Sequence, residues 1–313
     1  MARRFGYLPR VVHLIDASVY VFRAWYSLPP DMADDEGNAV HALYGFARFL
    51  GDLLEKARPT YVAVAFDGSL ASSWRNRLYP AYKANREPAP AELLLQFERC
   101  RELCGLLGLW AHQSSEYEAD DIIGTLVHRM RGEGLRSTVV TRDKDLAQLL
   151  RPGDVYWDYA GDIRYHHGEI AGRFGVPPER YADYLALTGD AVDNIPGVPG
   201  VGPKTAGVLM QHFDSLDALY ADLPRVAALP LRGAAKLGAR LAEHREAAFL
   251  ARELTRIHCA MPLQVDRHAL RARPPDLPAL ARFYDKQGFG SLLRNQAARL
   301  AAGGAGATLQ PLP

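Results

Sequence analysis

Three short apolar runs, each followed closely by an aspartate, constrain the fold of this chain more than any other feature. The runs cover residues 11–15, 61–66 and 137–141, and helical patterns over residues 39–57, 91–107 and 120–131 lie between and beside them. Short buried strands that alternate with helices predict an α/β fold with a mainly parallel central sheet and flanking helices. Sites in such sheets form beyond the carboxyl ends of the strands, where these aspartates are expected to converge.

Nine carboxylates fall where strands end, where helices begin or in adjoining turns. A single acid at such a place is explained as a helix cap or a turn residue. Three acids within residues 118–121 repel one another, and shared divalent cations remove that penalty. Mg²⁺ prefers carboxylate oxygens, so we predict one acidic metal pocket of the kind that cleaves phosphodiesters. Its predicted ligands are Asp16, Asp67, Glu118, Asp120, Asp121, Asp143, Asp145, Asp190 and Asp193.

The net charge of +1 conceals an uneven distribution of charge. Once the nine carboxylates are set aside, 37 lysines and arginines face 27 other acidic residues. A basic surface around an acidic pocket suits a polyanion that is held near metal ions.

Two segments carry the features expected of a phosphate-binding surface. Basic and aromatic side chains interleave between residues 72 and 86, where they can neutralise phosphates and stack bases; a solvated surface loop is the alternative. A glycine-punctuated turn at residues 197–204 opens a helix whose backbone N–H groups can hold a phosphate, or it joins two helices for purely structural reasons. Arg23 adds a cation near the expected pocket or forms a surface salt bridge. The candidate residues are Arg75, Arg77, Tyr79, Tyr82, Lys83, Arg86, Gly197, Gly200, Gly202, Lys204 and Thr205.

The remaining patterns define regions of the chain. Residues 1–10 are basic and predict a flexible extension, and residues 11–187 predict an α/β core. Residues 188–300 predict a helical region, with helices over 232–258 and 278–299. Residues 301–313 predict a disordered tail. We expect no membrane span, because no long apolar run is present. The three cysteines and the lack of a secretion signal predict reduced thiols and a cytoplasmic protein.

The motifs LIDAS (14–18), FDG (66–68), YPAYKANR (79–86), YEADD (117–121), TRDKDL (141–146) and TGDAVDNIPGVPGVGPKTA (188–206) follow one another in a single order. This order resembles the 5′-3′ exonuclease and flap endonuclease family, and most of all the N-terminal nuclease domain of bacterial DNA polymerase I. The resemblance covers residues 11–300 and implies a stand-alone nuclease, since no polymerase region follows.

The resemblance implies a PIN-like nuclease core, a helical arch over about residues 69–92 and a helix–three-turn–helix around the glycine turn. It implies two Mg²⁺ ions, replaceable by Mn²⁺, on the nine carboxylates, and a K⁺ ion at the turn. Lys83, Arg86, Arg23 and Tyr82 are expected at the scissile phosphate, and Arg75, Arg77, Tyr79 and the turn on the DNA. The expected substrate is DNA with a 5′ flap, a nick or a free 5′ end, with an RNA–DNA hybrid as a further possibility. The resemblance also implies a monomer without a dedicated protein partner and a role in DNA replication or repair. The alternatives are a DNA-junction-binding module that does not cut and a ribonuclease of related fold.

Overall fold

A computed structural model describes residues 11–68 and 72–305 of this chain. The predicted extension at residues 1–10 and residues 306–313 of the predicted tail lie outside the described part. Within the described residues no helix is both long and apolar enough to cross a bilayer.

A six-stranded sheet forms the centre of the molecule. Its strands are β1 (Val11–Asp16), β2 (Tyr61–Phe66), β3 (Trp110–Gln113), β4 (Arg136–Val140), β5 (Val155–Asp158) and β6 (Ile163–His166). Their order in the sheet is β3-β2-β1-β4-β5-β6. All neighbouring pairs are parallel except β5 and β6, which are antiparallel. The apolar runs of β1, β2 and β4 are buried on both faces because helices cover both sides of the sheet. The predicted mainly parallel α/β sheet is therefore confirmed.

Among the described residues, seven α-helices precede the glycine turn at residues 197–204, and an eighth begins at its end. In chain order the helices are α1 (Ala17–Ser27), α2 (His41–Ala57), α3 (Trp74–Leu78), α4 (Ala91–Leu106), α5 (Ala119–Gly132), α6 (Ile170–Phe174), α7 (Tyr181–Thr188) and α8 (Pro203–His212). Between α7 and α8 the chain forms a small antiparallel hairpin of β7 (Gly189–Asp190) and β8 (Ile195–Pro196).

The C-terminal helices are shorter and more numerous than the sequence pattern predicts. They are α9 (Leu216–Ala221), α10 (Ala234–Glu243), α11 (Arg245–Thr255), α12 (Leu277–Lys286) and α13 (Ser291–Ala305). The single helix predicted over residues 232–258 is wrong, because the backbone leaves the helical region at His244. The helix predicted over 278–299 breaks at Gly288, whose φ of 67° suits glycine. The disordered tail predicted from residue 301 is wrong for residues 301–305, which continue α13.

The last two helices pack against the first half of the chain. Side chains of α12 and α13, among them Leu280 and Leu293, join the core formed by α1, α2, α4 and one face of the sheet. Gln296 lies against Gly51 of α2 and donates a hydrogen bond to Asp52. The described chain therefore packs as two parts. One is a helical lobe that begins near residue 176, rather than at the predicted boundary between residues 187 and 188. The other is a core that includes the last helices of the described chain.

The segment predicted as a helical arch has little helix in its described part. Residues 72–92 contain α3 and the first residues of α4, with turns between them. Lys83 adopts a left-handed conformation (φ 53°), and Pro80 lacks the N–H that a continuing helix needs. Lys83 and Arg86 therefore do not share a helical face. The two side chains are instead brought together by a turn that lies over the carboxyl end of the sheet.

Candidate active site

The ends of adjacent parallel strands bring the first carboxylates together. Asp16 ends β1 and Asp67 follows β2, and these two strands are hydrogen-bonded neighbours. Asp143 lies three residues beyond β4, which flanks β1 on its other side. Thr141 donates a 2.8 Å hydrogen bond to Asp16, and the Ala119 amide donates one of 2.8 Å to Asp67. The start of α5, with Glu118 and Asp120, is thereby joined to the same edge of the sheet.

The hairpin of β7 and β8 supplies acids from the opposite side. Asp190 lies in β7, where its side chain accepts the Val192 amide at 2.8 Å, and Asp193 lies in the hairpin turn. The Lys83 amide donates a 2.9 Å hydrogen bond to the Asp193 carbonyl, which fixes the 79–86 segment on this hairpin. The pocket is therefore assembled from both parts of the chain.

Burial and mutual repulsion perturb these carboxylates strongly. Burial, and then the nearby charges of Asp67 and Asp143, raises the pKa of Asp16 to about 8. Burial and the charge of Asp143 raise the pKa of Asp145 to about 7. Burial, followed by the charges of Asp143 and Asp16, raises the pKa of Asp120 well above its usual range. Acids that resist ionisation together are typical of a site that binds a positive charge.

The donor set fits a hard divalent cation. All the donors are carboxylate oxygens, and Oε1 of Glu118 is buried without a hydrogen-bond partner. Among the described residues, however, no three histidine, cysteine or acidic side chains already surround one ion-sized point. Three cationic side chains, from Lys83, Arg86 and Lys144, form ion pairs with these acids instead.

Lys83 and Tyr82 contact the acids from the 79–86 segment. The Lys83 ammonium lies 2.6 Å from Glu118 and 3.7 Å from Asp193, and only 10% of its side chain is exposed. Although burial alone would lower it, the charges of Glu118 and Asp193 raise the pKa of Lys83 well above its usual range. The Tyr82 hydroxyl lies 3.1 Å from Glu118 and 3.2 Å from Asp193. Arg86 forms an ion pair with Asp193 at the more exposed rim.

Lys144 is a site residue to which the sequence pattern assigned no role. Its ammonium lies 2.9 Å from Asp190 and 3.3 Å from Asp145. Lys144 lies between two predicted ligands in the sequence, Asp143 and Asp145, and this position could have indicated a role in the site. The charge of Lys144 outweighs the effect of burial and lowers the pKa of Asp190.

Two predicted site residues have a structural role instead. Arg75 donates two hydrogen bonds of 2.7 and 2.8 Å to Asp121, and the side chains are 3% and 0% exposed. Asp121 also accepts hydrogen bonds from Trp74 and from the amides of Glu118 and His258. Both oxygens of Asp121 are therefore occupied by protein donors, and this geometry favours a structural role over the predicted role of metal ligand. Arg75 is likewise buried, and this geometry favours a structural role over the predicted DNA contact.

The other predicted contact residues lie at different depths. Tyr82 is only 2% exposed, which leaves no face for base stacking, and Tyr79 packs on the core of the helical lobe. Arg77 is exposed and pairs with Glu116. Arg23 is exposed on α1, with no ion pair among the residues that the structure describes.

The glycines of the turn differ in what they permit. A Cβ on Gly197 would lie 2.3 Å from the backbone of Thr188, so this glycine is required where the hairpin closes. Gly200 has a φ of 75°, and a Cβ added there would lie 2.3 Å from the Arg240 guanidinium. Gly202 is the N-cap of α8 and has open space around it. Lys204 is exposed and Thr205 half-buried in the first turn of α8.

Comparisons with known proteins identify relatives along most of the chain. Residues 11–175 match the family model of the 5′-3′ exonuclease N-terminal resolvase-like domain, and residues 176–278 match that of the 5′-3′ exonuclease C-terminal SAM fold. A 5′-3′ exonuclease of Aquifex aeolicus is 30% identical over 285 residues, which cover 91% of this chain and 94% of that protein. DNA polymerase I of Rhizobium leguminosarum is 37% identical over 291 residues, which cover 91% of this chain but only 28% of that protein.

A solved structure shares the fold. It is that of the bacteriophage T5 D15 flap endonuclease in a pseudo-enzyme-product complex with DNA and metal ions. The TM-score is 0.62 with 19% identity, and the alignment covers 94% of this chain and 100% of that one. This likeness extends the fold assignment across both parts of the described chain.

Proposed function

This chain belongs to the 5′-3′ exonuclease family, and on that premise we propose that it is a structure-specific 5′-3′ exonuclease and flap endonuclease that hydrolyses DNA phosphodiesters with two divalent metal ions. The observation that carries the proposal is the convergence of carboxylates from both matched regions at one edge of the sheet. Asp16 and Asp143 come from the first region, and Asp190 and Asp193 from the second. Carboxylates that repel one another in a pocket are stabilised when cations bind among them.

The proposed ligands are the predicted set without Asp121. They are Asp16, Asp67, Glu118, Asp120, Asp143, Asp145, Asp190 and Asp193. When bound, Mg²⁺ or Mn²⁺ supplies a Lewis acid that makes water a nucleophile at neutral pH and neutralises charge at the leaving oxygen. An oxygen-only donor set favours these hard ions over softer metals. The K⁺ ion expected at the glycine turn stays a prediction.

Lys83 and Arg86 are proposed to bind the scissile phosphate. The raised pKa keeps Lys83 charged, and its ammonium and the Arg86 guanidinium already lie at the mouth of the acidic pocket. A phosphate that enters with its metal ions gives these cations oxygen partners in place of Glu118 and Asp193. Cations fixed where negative charge develops lower the barrier of the reaction. Tyr82 is proposed to orient Glu118 through its hydroxyl.

The DNA outside the pocket is proposed to follow exposed basic residues. Arg23, Arg77 and Lys204 are exposed, and Lys204 stands at the start of α8 beside the glycine turn. Contacts of this kind reach phosphates and select the shape of a junction rather than its base sequence. We propose DNA with a 5′ flap, a nick or a free 5′ end as substrate, with an RNA–DNA hybrid as a second one. We propose the cytoplasm as its place of action and a monomer as its working form.

The test is cleavage of a 5′-labelled flap duplex by the wild-type chain and by Asp120→Asn. The matched control is Asp162→Asn, because Asp162 is exposed, pairs with Lys56 far from the pocket and has a left-handed φ of 51° that asparagine also accepts. We expect release of the labelled flap in Mg²⁺ by the wild type and the control, none in EDTA, and a loss of about 10²-fold or more in Asp120→Asn.

The alternative function gives a different result. Tight binding of the flap duplex without cleavage in Mg²⁺ or Mn²⁺ would reject the nuclease and leave a module that binds DNA junctions. Cleavage confined to RNA strands would favour the ribonuclease.

A further inference from the structure

Lys144 occupies a place in the pocket where a positive charge is required. Its ammonium bridges Asp145, from the short helical segment after β4, and Asp190, from the β7–β8 hairpin. It therefore joins an acid of the first matched region to an acid of the second. Among the described residues, no other cationic side chain contacts either of these two carboxylates.

We propose that Lys144 is a positioning residue, a built-in cation that holds Asp145 and Asp190 together in the metal-free protein and that the second divalent ion displaces. This inference rests on the proposed function, because it takes Asp145 and Asp190 as ligands. The ammonium lies within hydrogen-bonding distance of Asp190, so an ion bound by both acids would occupy its space.

The chemistry and exposure of Lys144 suit reversible exchange. Its side chain is 47% exposed, whereas that of Lys83 is only 10% exposed. A lysine carries a compact charge on a flexible four-carbon chain, so it can swing into solvent without moving the backbone. Lys83 lacks this freedom, which separates the two lysines in role.

Two consequences distinguish this role from that of an ordinary surface lysine. Without Lys144, the metal-free pocket loses a cation that offsets repulsion between its acids, so the metal-free fold becomes less stable. Without Lys144, the second ion no longer competes with an ammonium, so it binds more tightly. An incidental surface lysine would change neither property.

The experiment compares Lys144→Met with Arg142→Met. Arg142 lies on the other side of Asp143, is 50% exposed and pairs with Asp158, which is outside the proposed ligand set. Both variants remove one positive charge next to Asp143, so Arg142→Met controls for general electrostatics. Binding of Mn²⁺ is measured by calorimetry on full-length protein without DNA, and the melting temperature is measured in EDTA and in saturating Mn²⁺.

We expect the second Mn²⁺ ion to bind Lys144→Met about tenfold more tightly than wild type, and Arg142→Met to match wild type. The melting temperature of Lys144→Met should fall below that of wild type in EDTA, and this difference should close in saturating Mn²⁺. Equal isotherms for the two variants would overturn the proposal, as would weaker binding by Lys144→Met.

A folding defect is also informative. If Lys144→Met and Lys144→Gln are unfolded in EDTA but fold in Mn²⁺, the ion has replaced the ammonium as proposed. If they stay unfolded in Mn²⁺, the role of Lys144 is not that of a displaceable cation and the proposal fails. Wild-type protein that binds Mn²⁺ and cuts the flap, while Lys144→Met behaves like Arg142→Met, would refute only the role of Lys144. Wild-type protein that binds no Mn²⁺ would refute the proposed metal site itself.

Discussion

Replacing Arg75 by methionine tests whether the pair with Asp121 is structural or takes part in DNA binding. Arg75 holds Asp121 with two hydrogen bonds and also donates 2.9 Å and 3.2 Å hydrogen bonds to the carbonyls of Leu254 and Arg256. It therefore joins α3 to α5 and to the end of α11. Methionine fills similar space but leaves the Asp121 carboxylate buried without a cation.

The expected loss of unfolding free energy is about 3–5 kcal/mol, the cost of breaking a buried ion pair by removing one partner. Three N–H donors remain on Asp121, which places the loss at the lower end of that range. The control is Arg77→Met, because Arg77 forms an exposed pair with Glu116 that contributes about 0–1 kcal/mol. Urea denaturation in EDTA measures both variants against the wild type.

The loss should depend on pH in a defined direction. In the wild type, burial works against ionisation of Asp121, but Arg75 outweighs it and lowers the pKa of the carboxyl. Without Arg75, burial raises that pKa above its unfolded value of about 3.9. A raised folded pKa means that stability is lost as pH rises through it, so the deficit of Arg75→Met should be smaller at pH 5 than at pH 8.

A second substitution checks the cause. Adding Asp121→Asn to Arg75→Met removes the unpaired charge, so the double variant should be more stable at pH 8 than Arg75→Met alone. If Arg75→Met unfolds at the same urea concentration as Arg77→Met but no longer binds a flap duplex, the structural reasoning is refuted and Arg75 contacts DNA.

Three further predictions concern the pocket and the glycine turn. Asp120→Asn removes a half-buried charge that its acidic neighbours repel, so its melting temperature in EDTA should exceed that of wild type while flap cleavage is lost. A lower melting temperature would contradict the repulsion. The pKa values of about 8 for Asp16 and about 7 for Asp145 lie above the unfolded value of about 4, so metal-free stability should fall as pH rises from about 4 to about 8. Thermal melts at pH 5 and pH 9 should show that Mg²⁺ stabilises more at pH 9, and an equal shift would refute this assignment. Gly197→Ala should destabilise by several kcal/mol because its Cβ meets backbone, whereas Gly202→Ala should lie within about 1 kcal/mol of wild type in urea denaturation.

The parallel core could be predicted because its strands are continuous apolar runs. β1 and β2 are buried on both faces, and burial of this kind leaves an unambiguous pattern. β3, with the sequence WAHQ, and β6, with IRYH, were missed because they are edge strands with no such run; β3 is half-exposed and β6 is largely exposed. Their pairing depends on neighbours in the sheet rather than on their own composition.

The acidic pocket could be predicted as a group but not residue by residue. Asp120 and Asp121 are adjacent in the first turn of α5, so their side chains leave the helix about 100° apart. One faces the other acids, and the other faces Arg75. Sequence spacing does not say which, because the choice depends on where α3 packs. The same dependence on tertiary packing turned Arg75 from a predicted DNA contact into an internal support.

The packing of α12 and α13 against α2 has a consequence for the synthesis of this protein. A ribosome releases α2 early, yet the apolar side chains that cover it, such as Leu293 and Ala297, emerge about 240 residues later. At a translation rate of roughly 5–20 residues per second, α13 is synthesised roughly 10–50 s after α2. Folding of this core is thus completed only after α13 has been translated. A nascent chain interrupted before α13 presents an uncovered apolar face, which makes it a substrate for chaperones rather than a smaller folded protein.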